Sequence, residues 1–129
     1  MKIIILTVGK IKEKFYTEAV NEYLKRLSRY CKAEVVQVAD EKTVENCSET
    51  EADMVKEKEG NRILAKIPDD AYVITLEING KQLDSLELAD KINRLGINGK
   101  SHIVFVIGGS LGYTKKFQTG LITNLVFLK

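Results

Sequence analysis

An α/β fold, with a mostly parallel sheet carrying helices on both faces, is predicted by three observations. Apolar β-branched runs such as Lys2–Val8 and His102–Ile107 are continuous rather than alternating, the pattern of strands covered on both sides. These runs alternate with amphipathic stretches of about ten residues or more, which makes the connections crossovers rather than hairpins. The third sign is a glycine-rich segment, Gly108-Gly109-Ser110-Leu111-Gly112, that leaves the end of one run. Ligands in open α/β sheets gather at the carboxyl ends of strands, and glycines there let backbone N–H groups approach with no Cβ in the way.

Taken in order, Lys2–Val8 is a strand ended by Gly9 and expected in the interior of the sheet. From Glu13 to about Tyr30, apolar side chains recur at Tyr16, Ala19, Val20, Tyr23, Leu24 and Leu27, the spacing of an amphipathic helix, and the other face carries Lys25, Arg26 and Arg29. Ala33–Ala39 reads as a second strand, and the polar stretch Asp40–Cys47 as a loop. Ser48, with Glu51 three residues on, marks the start of a second helix. That helix carries Arg62 and Lys66 near its end and closes at Pro68-Asp69-Asp70.

Ala71–Ile78 is a third strand, with Asn79-Gly80 as a turn signal. A third helix is expected to be capped near Asp84 or Ser85 and to end at Gly96. His102–Ile107 is the fourth strand, Thr114 caps a short helical stretch, and Asn124–Leu128 is a fifth strand.

Length and composition narrow the function classes. A chain of 129 residues fits one domain and buries roughly two-thirds of its unfolded surface, enough for a core without staples. With 44% hydrophobic and 29% charged residues and a single proline, neither disorder nor a linker-joined pair is favoured. The net charge of +2 does not by itself argue for nucleic acid, so any phosphate partner has to be argued locally. Cys31 and Cys47 have no CxxC spacing and no nearby histidine, so they read as reduced intracellular thiols rather than as zinc ligands or a redox pair. The apolar run Ile3–Val8 is too short for a signal sequence and nothing approaches a membrane span, so a cytoplasmic protein is expected.

The glycine segment is neither GxGxxG nor a Walker A motif. It reads either as a plain turn or as one side of a ligand site. Leu76, near the carboxyl end of the third strand, would share a sheet edge with Gly108, and an aliphatic wall opposite bare backbone suits an adenine ring; it also reads as ordinary core. Lys10, Lys12 and Lys14 follow the first strand and Lys115 and Lys116 follow the glycines, so both clusters could meet RNA phosphates at one edge or simply be solvated. His102 opens a strand with no triad spacing around it and reads as structural, while Glu77 is the best-placed carboxylate for proton transfer, with no neighbour to raise its pKa.

Three motifs carry a family resemblance: Met1-Lys-Ile-Ile-Ile-Leu-Thr-Val-Gly-Lys-Ile-Lys-Glu-Lys-Phe-Tyr16, Val55-Lys-Glu-Lys-Glu-Gly-Asn-Arg-Ile-Leu-Ala-Lys66 and Phe105-Val-Ile-Gly-Gly-Ser-Leu-Gly112. With these the chain resembles the ribosomal RNA large subunit methyltransferase H family, of the SPOUT class, from residue 1 to about residue 113. The resemblance implies a homodimer, a C-terminal trefoil knot, S-adenosylmethionine as methyl donor, and methylation at N3 of a pseudouridine in 23S ribosomal RNA. Carried over by position, the cofactor residues are Leu76, Gly108 and the segment Phe127, Leu128 and Lys129. No catalytic residue and no metal are assigned.

Family members continue past this point with Lys-Met-Thr-Phe-Pro-His, a long helix, and a tail ending in Arg-Gly-Glu-Pro-Tyr-His-Lys. The chain is therefore expected to be a single SPOUT-like domain over residues 1–129 that lacks the family's C-terminal segment, with its knot incomplete, its cofactor affinity weak and its turnover low. The alternative is a non-catalytic RNA-binding or dimerisation remnant of the same family.

Overall fold

The computed structural model describes residues 1–9, 13–40, 48–107 and 122–126, the side chains of 77–81 and 122–126 excepted. Continuous β-branched runs become strands where both faces are covered. The strands are β1 (Lys2–Val8), β2 (Lys32–Val38), β3 (Tyr72–Gln82), β4 (His102–Ile107) and β5 (Ile122–Val126). Three helices lie between them in the chain: α1 (Lys14–Leu27) between β1 and β2, α2 (Glu49–Lys66) between β2 and β3, and α3 (Ser85–Ile97) between β3 and β4.

The sheet has the order β2-β1-β4-β3-β5, and every pairing within it is parallel. The steps β1→β2 and β3→β4 run in one direction across the sheet and β2→β3 runs back. Right-handed crossovers then place α1 and α3 on one face and α2 on the other. Core packing agrees. Ile63 of α2 sits among Ile4, Leu6, Val38, Val73, Val104 and Val106, while Leu88, Ile92 and Leu95 of α3 pack against Ile74, Ile103 and Phe105 with Ile3 and Ile5. Alternate residues of β1 thus serve opposite cores, as the strand period of two demands.

Helix ends follow local chemistry. Ser48 accepts a hydrogen bond from the Glu51 N–H at 3.1 Å, as expected of its cap position. At α3, Asp84 accepts from the Glu87 N–H at 2.8 Å and the Glu87 carboxylate accepts from the Asp84 N–H at 3.4 Å, a complete capping box. The helix ends at Ile97 rather than at Gly96. Gly99, at φ +83°, supplies the left-handed residue, the Gly99 N–H donates to Gly96 O and the Lys100 N–H to Leu95 O, the paired bonds of a Schellman ending.

Three further expectations are corrected. Asn79-Gly80 does not end β3, which runs on to Gln82 because β5 pairs with it on both sides of an irregularity: Leu125 is in register with Leu76 and again with Lys81. The fifth strand lies at Ile122–Val126 rather than Asn124–Leu128. The predicted apolar face of α1 is only half covered: Val20 and Leu24 are partly buried, whereas Tyr16 and Tyr23 are 56% and 63% exposed. The Thr114 cap and the incomplete knot fall on residues outside those described.

Candidate functional site

The carboxyl edge of the sheet is built from the ends of β1, β2, β3, β4 and β5, and β3 lies between β4 and β5. Leu76 is in register with Ile107 on one side and with Leu125 on the other. Ile107 directly precedes Gly108 in the chain, and Leu125 lies two residues before Phe127. Backbone pairing thus sets Leu76, within β3, level with the end of β4 at Ile107 and with Leu125 near the end of β5. Of those residues, Leu76 is described: it is partly buried and packs against the cluster of Ile74, Ile103 and Phe105. Gly108, Phe127, Leu128 and Lys129 lie outside the described residues, as do Lys10, Lys12, Lys115 and Lys116. The Glu77 side chain is likewise not described; its backbone falls at the irregularity between the two β3–β5 registers.

On the other side of β4, Gly9 closes β1 at φ +86° and its N–H donates to Val38 O at 2.8 Å. Arg62 donates from a guanidinium nitrogen to Ala39 O at 2.9 Å, tying α2 to the end of β2. By sequence Arg62 looked like a charge placed for the helix dipole. The bond it makes joins residues 23 apart in the chain, and no local pattern announces it. Lys14 is exposed at the start of α1.

His102 is at the opposite, amino edge. Its side chain is largely buried, with Nδ1 3.6 Å from Asp70 Oδ1 and a buried Nε2 that has no hydrogen-bond partner among the described residues. A strand of this length separates the two edges by about 20 Å, at roughly 3.3 Å per residue. Also on the amino edge is a cleft lined by Met1, Lys2, Ser28, Arg29, Tyr30, Cys31, Lys32 and Ser101. No local pattern announces it, because Lys2 meets Arg29 and Lys32 only through the pairing of β1 with β2.

Cys31 is a free thiol whose Sγ–H donates to Leu27 O at 3.8 Å. Among the described residues no group of three or more His, Cys, Asp or Glu side chains could hold a metal ion, and no helix is long and apolar enough to cross a membrane.

An open parallel α/β sheet whose crossovers reverse direction between β2 and β3 defines the class of domain that holds a ligand at the carboxyl ends of its strands. Comparison with known proteins makes the class particular. The family profile described as "Predicted SPOUT methyltransferase" matches residues 1–127. Proteins named ribosomal RNA large subunit methyltransferase H are similar over most or all of the chain. The one from Clostridium beijerinckii is 50% identical over 129 residues, 100% of this chain and 81% of the relative. That from Clostridium novyi is 53% identical with the same coverage. That from Enterococcus faecalis is 58% identical over 112 residues, 87% of this chain and 70% of the relative. The chain belongs to the SPOUT methyltransferase family, and its similarity to the Clostridium proteins runs beyond the point near residue 113 where the resemblance was expected to fade.

Proposed function

We infer that this rRNA methyltransferase uses S-adenosylmethionine to methylate N3 of a pseudouridine in 23S ribosomal RNA, acting as a cytoplasmic homodimer and a single SPOUT-like domain. Similarity over the full chain to proteins named for methylation of large-subunit rRNA carries the reading. The apolar Leu76 at the carboxyl edge, flanked in register by Ile107 and Leu125, is compatible with the cofactor: an adenine ring needs an aliphatic wall and a few main-chain partners. Leu76, Gly108 and the segment Phe127, Leu128 and Lys129 would hold it there.

The sulfonium of the bound donor supplies an already activated methyl group. Methyl transfer to N3 would release the thioether and the N3 proton, the chemistry the donor would supply when held by these residues. The protein's contribution is then chiefly orientation, worth up to about 7–11 kcal/mol when the attacking nitrogen and the methyl carbon are held in line. Leu76 would position the donor by packing and exclude water from that side. The homodimer is supported by the uncovered apolar surface of α1, with Phe15, Tyr16 and Tyr23 exposed.

The test is methyl transfer from isotopically labelled S-adenosylmethionine to ribosomes from a strain lacking the modification, followed by digestion of the RNA and location of the label. Label at N3 of one pseudouridine is the expected result. A Leu76→Asp substitution should weaken cofactor binding by about tenfold or more, read by calorimetric titration below the unfolding temperature. RNA binding without any methyl transfer would favour the remnant reading instead.

A further inference from the structure

The amino-edge cleft lies about 20 Å from the candidate cofactor site, at the other end of the strands. Its volume of about 560 Å³ is that of a ligand-sized depression. Three of its lining residues are cationic, Lys2, Arg29 and Lys32, and none is acidic. Lys2 is within 3.6 Å of Glu34, but both side chains are about half exposed, so that pair neutralises little. Arg29 and Lys32 make no ion pair among the described residues. Asp70, which faces His102, lies outside the lining.

The cleft sits at the carboxyl end of α1, where unsatisfied carbonyls would normally repel an anion. Here they are engaged. The Ser28 N–H donates to Leu24 O and Lys25 O, the Ser28 hydroxyl donates to Lys25 O at 2.6 Å, and the Tyr30 and Cys31 N–H groups donate to Leu27 O. The Leu24, Lys25 and Leu27 carbonyls are thereby paired, which lessens the repulsion an anion would meet at this helix end. The floor is stiff as well: the Lys2 N–H donates to Ser101 O at 2.8 Å and the Lys32 N–H to Met1 O at 3.0 Å, locking the starts of three strands together. Beside the cations stands Tyr30, 81% exposed, its aromatic face open to solvent among the described residues. Cations along a groove with an aromatic face between them are the elements by which proteins hold single-stranded nucleic acid.

We propose that this cleft is an RNA-backbone site, in which Arg29 and Lys32 hold phosphates and Tyr30 stacks on a base of an unpaired segment of the rRNA substrate. The proposal rests on the rRNA reading above and adds a second point of contact remote from the reacting base. Such a site anchors the substrate and sets its orientation without reading its sequence.

The measurement is filter binding of deproteinised 23S rRNA to the 129-residue chain across a salt series. The R29Q/K32Q double variant should bind about tenfold more weakly at roughly 0.1 M salt, with the slope of log K against log salt reduced by about 0.7 for each cation removed. Tyr30→Leu should weaken binding by a similar factor and leave the slope unchanged. All three residues are exposed, so circular dichroism should show unaltered folding. Unchanged affinity and slope in the double variant overturn the proposal. So does a loss of RNA binding that sedimentation traces to dissociation of a dimer, which assigns the cleft to self-association. Inorganic phosphate at matched ionic strength that occupies the cleft while 23S rRNA does not makes it a free-anion site and also overturns the proposal. Methyl transfer separates this from the functional reading: transfer with an indifferent double variant removes the cleft alone, and cleft-dependent RNA binding without transfer removes the enzymatic reading alone.

Discussion

Helices α1 and α2 lie on opposite faces of the same sheet and have opposite relations between sequence and burial. The stronger apolar stripe belongs to α1, yet none of its residues is fully buried, while α2, whose sequence is polar nearly all round, buries Glu59, Gly60 and Ile63. Position in the sheet explains the reversal. The step from β2 back to β3 carries α2 across the two strands between them, β1 and β4, whereas α1 only joins β1 to the edge strand β2. A helix over the centre of a sheet finds a core whatever its own pattern; a helix at the margin keeps its apolar stripe for something else.

The sharpest break in that comparison is at Ile63, 2% exposed among Leu6, Val104 and their neighbours. Ile63→Ala should cost about 2–5 kcal/mol in urea unfolding, with the slope against denaturant unchanged. On the α1/α3 face the local device at Asp84 matters more than any single contact of α1. Asp84→Ala removes the capping box and should cost about 1 kcal/mol in the same assay. Smallest of all is Tyr23→Ser, which should change the stability of the isolated protomer by no more than about 0.5 kcal/mol. A larger loss for Tyr23→Ser that grows with protein concentration would show that the α1 stripe is covered by another copy.

Strands were easier to read than their ends. Lys2–Val8 and His102–Ile107 stand out because each is an unbroken apolar run paired on both sides, so local preference and tertiary environment agree. At Asn79-Gly80 they disagree: a dipeptide that favours turns is held within β3 by pairing with β5, a strand more than 40 residues further along the chain. Tyr16 and Tyr23 show the converse, since periodicity reports which side of a helix is apolar and not whether a neighbour covers it. In the site, the residues alone left Leu76 and Gly108 open between a ligand wall and ordinary core or turn, and resemblance to a family supplied their cofactor role. A lone leucine near a strand end and a glycine after one are too common to be decisive. Arg62 with Ala39, and Arg29 with Lys32 and Lys2, were illegible for a different reason: the partners meet only after the sheet has formed.

The place of β5 also bears on how the chain reaches this state. Among the described residues it pairs with β3 alone and follows the other four strands in the chain, so β1 to β4 can form a sheet while the outer edge of β3 still presents unpaired N–H and C=O groups. During synthesis that edge stays open until residue 126 has emerged, which makes the interval between β4 and β5 the time when this chain is most exposed to pairing with another.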